Sequence, residues 1–93
     1  MTTFKNFEHT EALDEQIKKK AAKIEKYFTD SDVNIRWTCS QDGSIQRSDV
    51  EVTGYAGDPI HASAEADDLY KTFDEVVQKI SRQARKRLTK ENN

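Results

Sequence analysis

The hydrophobic period of this chain changes twice, from 3.6 residues to 2 and back, and that switch leaves few folds open to it. Leu13, Ile17, Ala21, Ile24 and Phe28 recur at helical steps and form one apolar stripe. Thr10 is placed to cap this helix, with Glu11 in the first turn, where a negative charge meets the helix dipole. Thr29-Asp30-Ser31-Asp32 reads as a connection. Val33, Ile35, Trp37 and Cys39 then alternate with Asn34, Arg36, Thr38 and Ser40, the pattern of a half-buried strand. Gln41-Asp42-Gly43-Ser44 carries the Asp-Gly signal of a tight hairpin. The returning strand places Val50 and Val52 inward and Arg47, Asp49 and Glu51 outward. After a loop from Gly54 to Pro59, Ile60, Ala62 and Ala64 alternate with His61, Ser63 and Glu65 as a further strand. Asp67 is the expected cap of a second helix, whose stripe is Leu69, Phe73, Val76, Val77, Ile80, Ala84 and Leu88. The first segment, Thr2 to Glu8, fits an edge strand only loosely, since Phe4 and Phe7 are out of period-two phase.

An antiparallel sheet covered on one side by two helices satisfies all of these patterns. The expected class is α+β in the order β-α-β-β-β-α, a four-stranded sheet with both helices packed on one face. The 93 residues suffice for one modest core, so residues 1–90 are expected to form a single domain and 91–93 a short polar tail. Charged residues make up 34% of the chain, a share that would suggest disorder were the apolar positions scattered; their periodicity argues for order. The lone Cys39 cannot close an internal disulfide, and no apolar run approaches a membrane span or a signal sequence. A reducing, cytoplasmic setting without membrane contact is expected.

The formal net charge of -2 argues, by itself, against a nucleic-acid ligand. The charge is segregated, however. Lys18, Lys19, Lys20, Lys23 and Lys26 are interrupted only by Glu25, and the stretch from Lys79 to Lys90 holds six basic residues and no acid. Turning by ~100° per residue, Lys19, Lys20, Lys23 and Lys26 share one flank of the first helix, while Asp14, Lys18 and Glu25 share the other. Lys79, Arg82, Lys86 and Lys90 form a ridge on the second helix, with Arg85 beside it. Heads one turn apart, ~5 to 6 Å, are close to the spacing of successive phosphates along a strand. A single basic helix end is more often a solvated face whose cations favour the helix C-terminus. Two basic helix faces on the same side of one sheet favour a shared ligand. The candidate RNA-binding residues are therefore Lys19, Lys20, Lys23, Lys26, Lys79, Arg82, Arg85, Lys86 and Lys90, with Gln16, Tyr27 and Gln83 nearby to bond ribose or bases.

Other chemistry is poorly supplied. Cys39 with His9 or His61 would be the material for a nucleophile and base, but Cys39 alternates with Trp37 on the inward face and reads as a buried, inert thiol. One cysteine and two separated histidines do not make a zinc site. Asp67-Asp68 begins a helix and Asp74-Glu75 lies on its exposed side. No glycine-rich phosphate loop and no serine-based motif is present. Trp37 belongs with the core, and Tyr70 either closes the core or sits at its rim. No catalytic residue, cofactor, metal or small-molecule substrate is expected.

The run from Ile60-His61-Ala62-Ser63-Ala64-Glu65-Ala66-Asp67-Asp68-Leu69-Tyr70 through Phe73-Asp74 to Lys79-Ile80-Ser81-Arg82-Gln83-Ala84-Arg85-Lys86 resembles the ribosome hibernation promoting factor family. Thr10-Glu11-Ala12-Leu13 and Lys23-Ile24-Glu25-Lys26-Tyr27-Phe28 resemble its first helix, so the likeness runs in register across nearly the whole chain. It implies a fold similar to double-stranded RNA-binding domains. It also implies docking on rRNA of the small ribosomal subunit, in the decoding region, with inhibition by occluding messenger, transfer RNA and initiation factors. The matching basic residues are Lys20, Lys23, Lys26, Lys79, Arg82, Arg85 and Lys86. The family's first strand ends in glycine followed by a basic residue or histidine, whereas this chain has Phe7-Glu8-His9, so no RNA contact is carried over to that turn. The resemblance is to the short members, monomeric off the ribosome, for which pairing of inactive ribosomes would need a second factor. A non-ribosomal RNA-binding or protein-binding module using the same two helices is the alternative.

Overall fold

The computed structural model describes residues 2–5, 8, 10–28, 32–55 and 57–91, with side chains described as far as residue 86. Phe7, His9, the Thr29-Asp30-Ser31 connection and the side chains of Leu88 and Lys90 lie outside the described residues. The elements are β1 (Thr2–Lys5), α1 (Glu11–Glu25), a single 3-10 turn (Lys26–Phe28), β2 (Asn34–Asp42), β3 (Ile45–Thr53), β4 (Ile60–Ala66) and α2 (Leu69–Glu91). The strands form one sheet in the order β1-β2-β3-β4.

The sheet is mixed. The fully antiparallel sheet expected from the strand patterns is corrected at β1, which pairs parallel to β2 with Thr2 opposite Trp37 and Lys5 opposite Ser40. The reason is the connection: α1 carries the chain back over one face, so β2 starts from the same end as β1, as a crossover requires. The other pairs are antiparallel. Trp37 faces Val50 across β2 and β3, and Val50 faces Ala62 across β3 and β4. Gly43 closes the β2–β3 hairpin at φ 62°, a left-handed conformation that glycine adopts without penalty.

Because side chains alternate across a strand, these registers collect the apolar set on one face. Trp37 and Cys39 of β2, Val50 and Val52 of β3, and Ile60, Ala62 and Ala64 of β4 are buried there. Leu13, Ile17, Ile24 and Phe28 cover them from α1 and its 3-10 turn, and Leu69, Phe73, Val76, Ile80 and Ala84 from α2. The rings of Trp37 and Phe73 meet edge-on at 5.6 Å, locking α2 over the middle of the sheet. Ser48 and Thr72 are buried as well, and their hydroxyls bond each other at 2.7 Å, so β3 and α2 share a satisfied polar contact inside the core.

Thr10 caps α1 as its sequence suggests, its side chain accepting from the Leu13 N–H at 3.2 Å. The cap of α2 is Asp68 and not Asp67. Asp68 Oδ1 accepts from the Tyr70 N–H at 3.0 Å, while Asp67 pairs with Lys71 Nζ at 2.9 Å one turn along. The Leu69 N–H donates to Gln46 Oε1 at 2.5 Å, so β3 supplies a second acceptor to the start of α2. This fixes where α2 begins and, through the 3.6-residue period, where each of its basic residues points.

Candidate nucleic-acid interface

With the apolar stripes turned onto the sheet, the outer arcs of both helices are left to solvent. On α1, Lys19 and Lys23 are exposed, and Lys26 is exposed on the 3-10 turn that follows. Lys20 sits at the edge of the stripe with its side chain 18% exposed, and its ammonium meets Asp74 Oδ1 of α2 at 2.6 Å. That contact shows which side of each helix faces the other. Measured from the Lys20 direction, Lys23, Lys19 and Lys26 follow at ~60°, ~100° and ~120°, rotating away from the core. Lys18 and Glu25 lie on the opposite flank, where they line a cleft against Val33, Ile35 and Trp37 of the β2 region, outside this surface.

On α2 the same arithmetic from Asp74 places Arg85 at ~20°, Arg82 at ~80°, Lys86 at ~120° and Lys79 at ~140°. All four are exposed, and together they wrap the outer surface from the α1 side to the β4 side. Lys79 reaches the edge of the sheet: its ammonium donates to the Ser63 carbonyl of β4 at 2.7 Å. Gln83 does the same to the His61 carbonyl at 3.1 Å, so its amide is engaged with the protein and not held out as a free polar tip. These two bonds cap acceptors along an otherwise open edge strand. Lys90 lies within α2, with its side chain outside the described residues. Thus the structure brings Lys19, Lys23, Lys26, Arg82, Arg85 and Lys86 onto one surface as exposed cations. Lys20 and Lys79 border that surface already holding partners, which local periodicity could not reveal because both partners come from other elements.

The opposite face of the sheet is charged but internally neutralised. The Arg47 guanidinium holds Asp49 through two bonds, at 2.9 and 3.0 Å, and Glu65 at 2.6 Å. Those carboxylates push the Arg47 pKa further up, so its charge is permanent and committed to them. Arg36 lies 3.9 Å from Glu51 and His61 3.9 Å from Asp49. The sheet arginines are spoken for by acids, whereas among the described residues no acid lies within ion-pairing distance of Lys19, Lys23, Lys26, Arg82, Arg85 or Lys86. These six cations are therefore left without an acidic partner on the helix side.

The material for catalysis is kept apart. Cys39 is fully buried on the helix-covered face, and that burial pushes its thiol up to about 11, opposed by the smaller effect of its hydrogen bond with Ser48. His61 stands exposed on the other face of the sheet. Among the described residues no three His, Cys, Asp or Glu side chains are grouped to hold a metal ion, and no helix is long and apolar enough to cross a membrane.

Residues 1–92 match the family described as Sigma 54 modulation protein / S30EA ribosomal protein. The chain belongs to this family. It is 34% identical over 84 residues to the ribosome hibernation promoting factor of Escherichia coli K12, covering 90% of this chain and 86% of that protein. It is 35% identical over 91 residues to the ribosome hibernation promotion factor of Bacillus subtilis, but spans only 47% of that longer relative. The fold is shared with the N-terminal domain of Thermus thermophilus Protein Y, at a TM-score of 0.82 and 25% identity over 91% of this chain and 92% of that one. It is shared equally with a ribosomal subunit interface protein from Coxiella burnetii, at a TM-score of 0.85 and 28% identity over 96% of both chains. The family membership agrees with the resemblance carried by the Ile60–Tyr70 run and the second helix.

Proposed function

We propose that this chain is a non-catalytic hibernation factor that binds rRNA of the small ribosomal subunit. Its place there is the decoding region, where its bulk keeps out messenger, transfer RNA and initiation factors. The observation that carries this reading is the surface of exposed cations on α1, its 3-10 turn and α2, in a chain whose relatives are named as ribosome hibernation factors. Lys19, Lys23, Lys26, Arg82, Arg85, Lys86 and Lys90 neutralise backbone phosphates, and the counterions released make the binding salt-dependent. Lys20 and Lys79 serve the same surface from its borders. Inhibition follows from occupancy, since two ligands cannot fill one volume. In this reading the protein is cytoplasmic and monomeric away from the ribosome, and pairing of inactive ribosomes calls for a second factor.

Sucrose-gradient co-sedimentation with separated small and large subunits, repeated at rising salt, tests the proposal. Migration with small subunits that is lost as salt rises is the expected result. Protein left at the top of the gradient at low salt would overturn it and favour a non-ribosomal ligand for the same helices.

A further inference from the structure

Phosphate contacts position a protein on RNA, but they leave the bases untouched. Three large apolar side chains stand exposed among the described residues: Ile45 at the tip of the β2–β3 hairpin, and Tyr27 and Tyr70 on the helix side. We propose that Tyr27 is a stacking platform for an unpaired nucleobase of the bound RNA, an inference that rests on the ribosome-binding reading above.

Tyr27 is 38% exposed. Its backbone is held by its neighbour: Phe28 is buried and its ring packs at 5.1 Å against Tyr55, which pins the 3-10 turn carrying both residues. Tyr27 is thus presented from a fixed base, at little ordering cost on binding. Its surroundings are cationic. Lys23 lies one turn before it and Lys26 beside it, both exposed, and Tyr27 itself falls within ~20° of the Lys20 direction that faces α2. The acid on this segment, Glu25, is turned ~160° away toward the cleft over β2. A strand drawn to these lysines by its phosphates therefore passes an exposed aromatic side chain, the combination that grips single-stranded RNA.

Tyr70 is the internal contrast. It is 45% exposed, yet Asp68 caps its own N–H, Asp67 precedes it and Asp74 stands one turn after it. Its ring is also engaged at 5.6 Å with Phe73. These acids already hold Lys71 and Lys20, so the nearby cations are not free to draw a phosphate strand past Tyr70, and exposure of a tyrosine alone does not make a platform.

The test is equilibrium binding of the folded variants to purified small subunits across a salt series. Tyr27→Leu keeps an apolar side chain but removes the π-face, and is expected to bind about tenfold more weakly with an unchanged salt slope, since no phosphate contact is lost. Tyr27→Phe and Tyr27→Trp should bind within about twofold of the parent, and Tyr70→Leu likewise. Parent-like binding by Tyr27→Leu, a Tyr27→Phe variant as weak as Tyr27→Leu, or a Tyr27→Trp variant weaker still would each overturn the platform while leaving the ribosome-binding reading intact. A parent protein that ignores small subunits would remove both.

Discussion

The Lys20 ammonium and Asp74 Oδ1 are 54 positions apart in the chain and 2.6 Å apart in space, an ion pair that ties the basic arc of α1 to the start of α2. Lys20 holds the Asp74 carboxyl below its ordinary value, chiefly through this hydrogen bond, with Lys23 adding to the field. A carboxylate depressed on folding adds stability above its unfolded value and loses it as pH falls through the depressed one. The Asp74 side chain is 70% exposed, so the gain is at most about 1 kcal/mol. Asp74→Asn should lower stability by that much or less at pH 7 and by progressively less as pH falls through the depressed value, read by urea unfolding across an acid pH series. The same change removes the negative charge nearest the basic surface and frees Lys20. Binding to small subunits should tighten a few-fold at low salt; weaker binding would mean that the pair positions the helices for RNA.

Lys79 and Lys86 are alike in sequence but not in structure. Lys79 donates to the Ser63 carbonyl, whereas Lys86 is exposed with no protein partner among the described residues. Lys86→Glu should leave stability within about 0.5 kcal/mol of the parent, weaken subunit binding and reduce the salt slope. Lys79→Glu should do both of the latter and also cost about 1 kcal/mol through loss of its bond to the β4 edge. Thermal unfolding and salt-dependent co-sedimentation of the two single variants make the comparison. Equal stabilities would show that the Lys79 bond adds nothing to the edge.

Cys39 gives a pH dependence at the other end of the scale. Its thiol rises from an ordinary 9.0 to about 11 because the charged form is excluded from the core. The unfolded chain thus loses this proton first as pH climbs, and stability falls between about pH 9 and pH 11 by roughly 2 to 3 kcal/mol at the far end. Cys39→Ala should flatten that part of the profile. Reaction of the native protein with a thiol reagent at pH 8 should follow unfolding, and rapid modification of folded protein would contradict the burial of Cys39.

Much of this was legible in the chain because periodicity reports burial directly. The stripe from Leu13 to Phe28 and the alternation from Val33 to Cys39 named the inward side, with Ala21, Val33 and Ile35 only half-buried at its margin, and the residues left over named the outer arcs. Pairing direction is a different kind of fact. Nothing in the short run Thr2–Lys5 says whether it lies parallel or antiparallel to β2; the crossover through α1 decides. Adjacent aspartates are equally good caps by composition, so the choice of Asp68 over Asp67 waited on where Gln46 and Leu69 meet. For the site, the exposed cations followed from the helical period. The engagement of Lys20 with Asp74 and of Lys79 with Ser63 depends on packing between elements distant in sequence.

The buried hydroxyl pair offers the sharpest test of how α2 is held. Thr72 Oγ1 donates to the Leu69 carbonyl at 2.6 Å, which commits its proton, so the Ser48 hydroxyl must be the donor in the 2.7 Å bond between them. This direction makes the two deletions unequal. Ser48→Ala removes a donor and leaves Thr72 still bonded to Leu69, a loss of about 0.5 to 1.5 kcal/mol. Thr72→Val takes the oxygen acceptor from the Ser48 hydroxyl in a site with no access to water, leaving it only the weak sulfur of Cys39, and should cost about 1 to 3 kcal/mol. In the double variant the stranded group is gone, so the combined loss should be smaller than the sum by about 0.5 kcal/mol or more. Urea unfolding of the four proteins closes the cycle. Strict additivity would mean that the two hydroxyls do not communicate, and that apolar packing such as the Trp37–Phe73 contact, with the bonds to β3 and β4, holds α2 on the sheet without them.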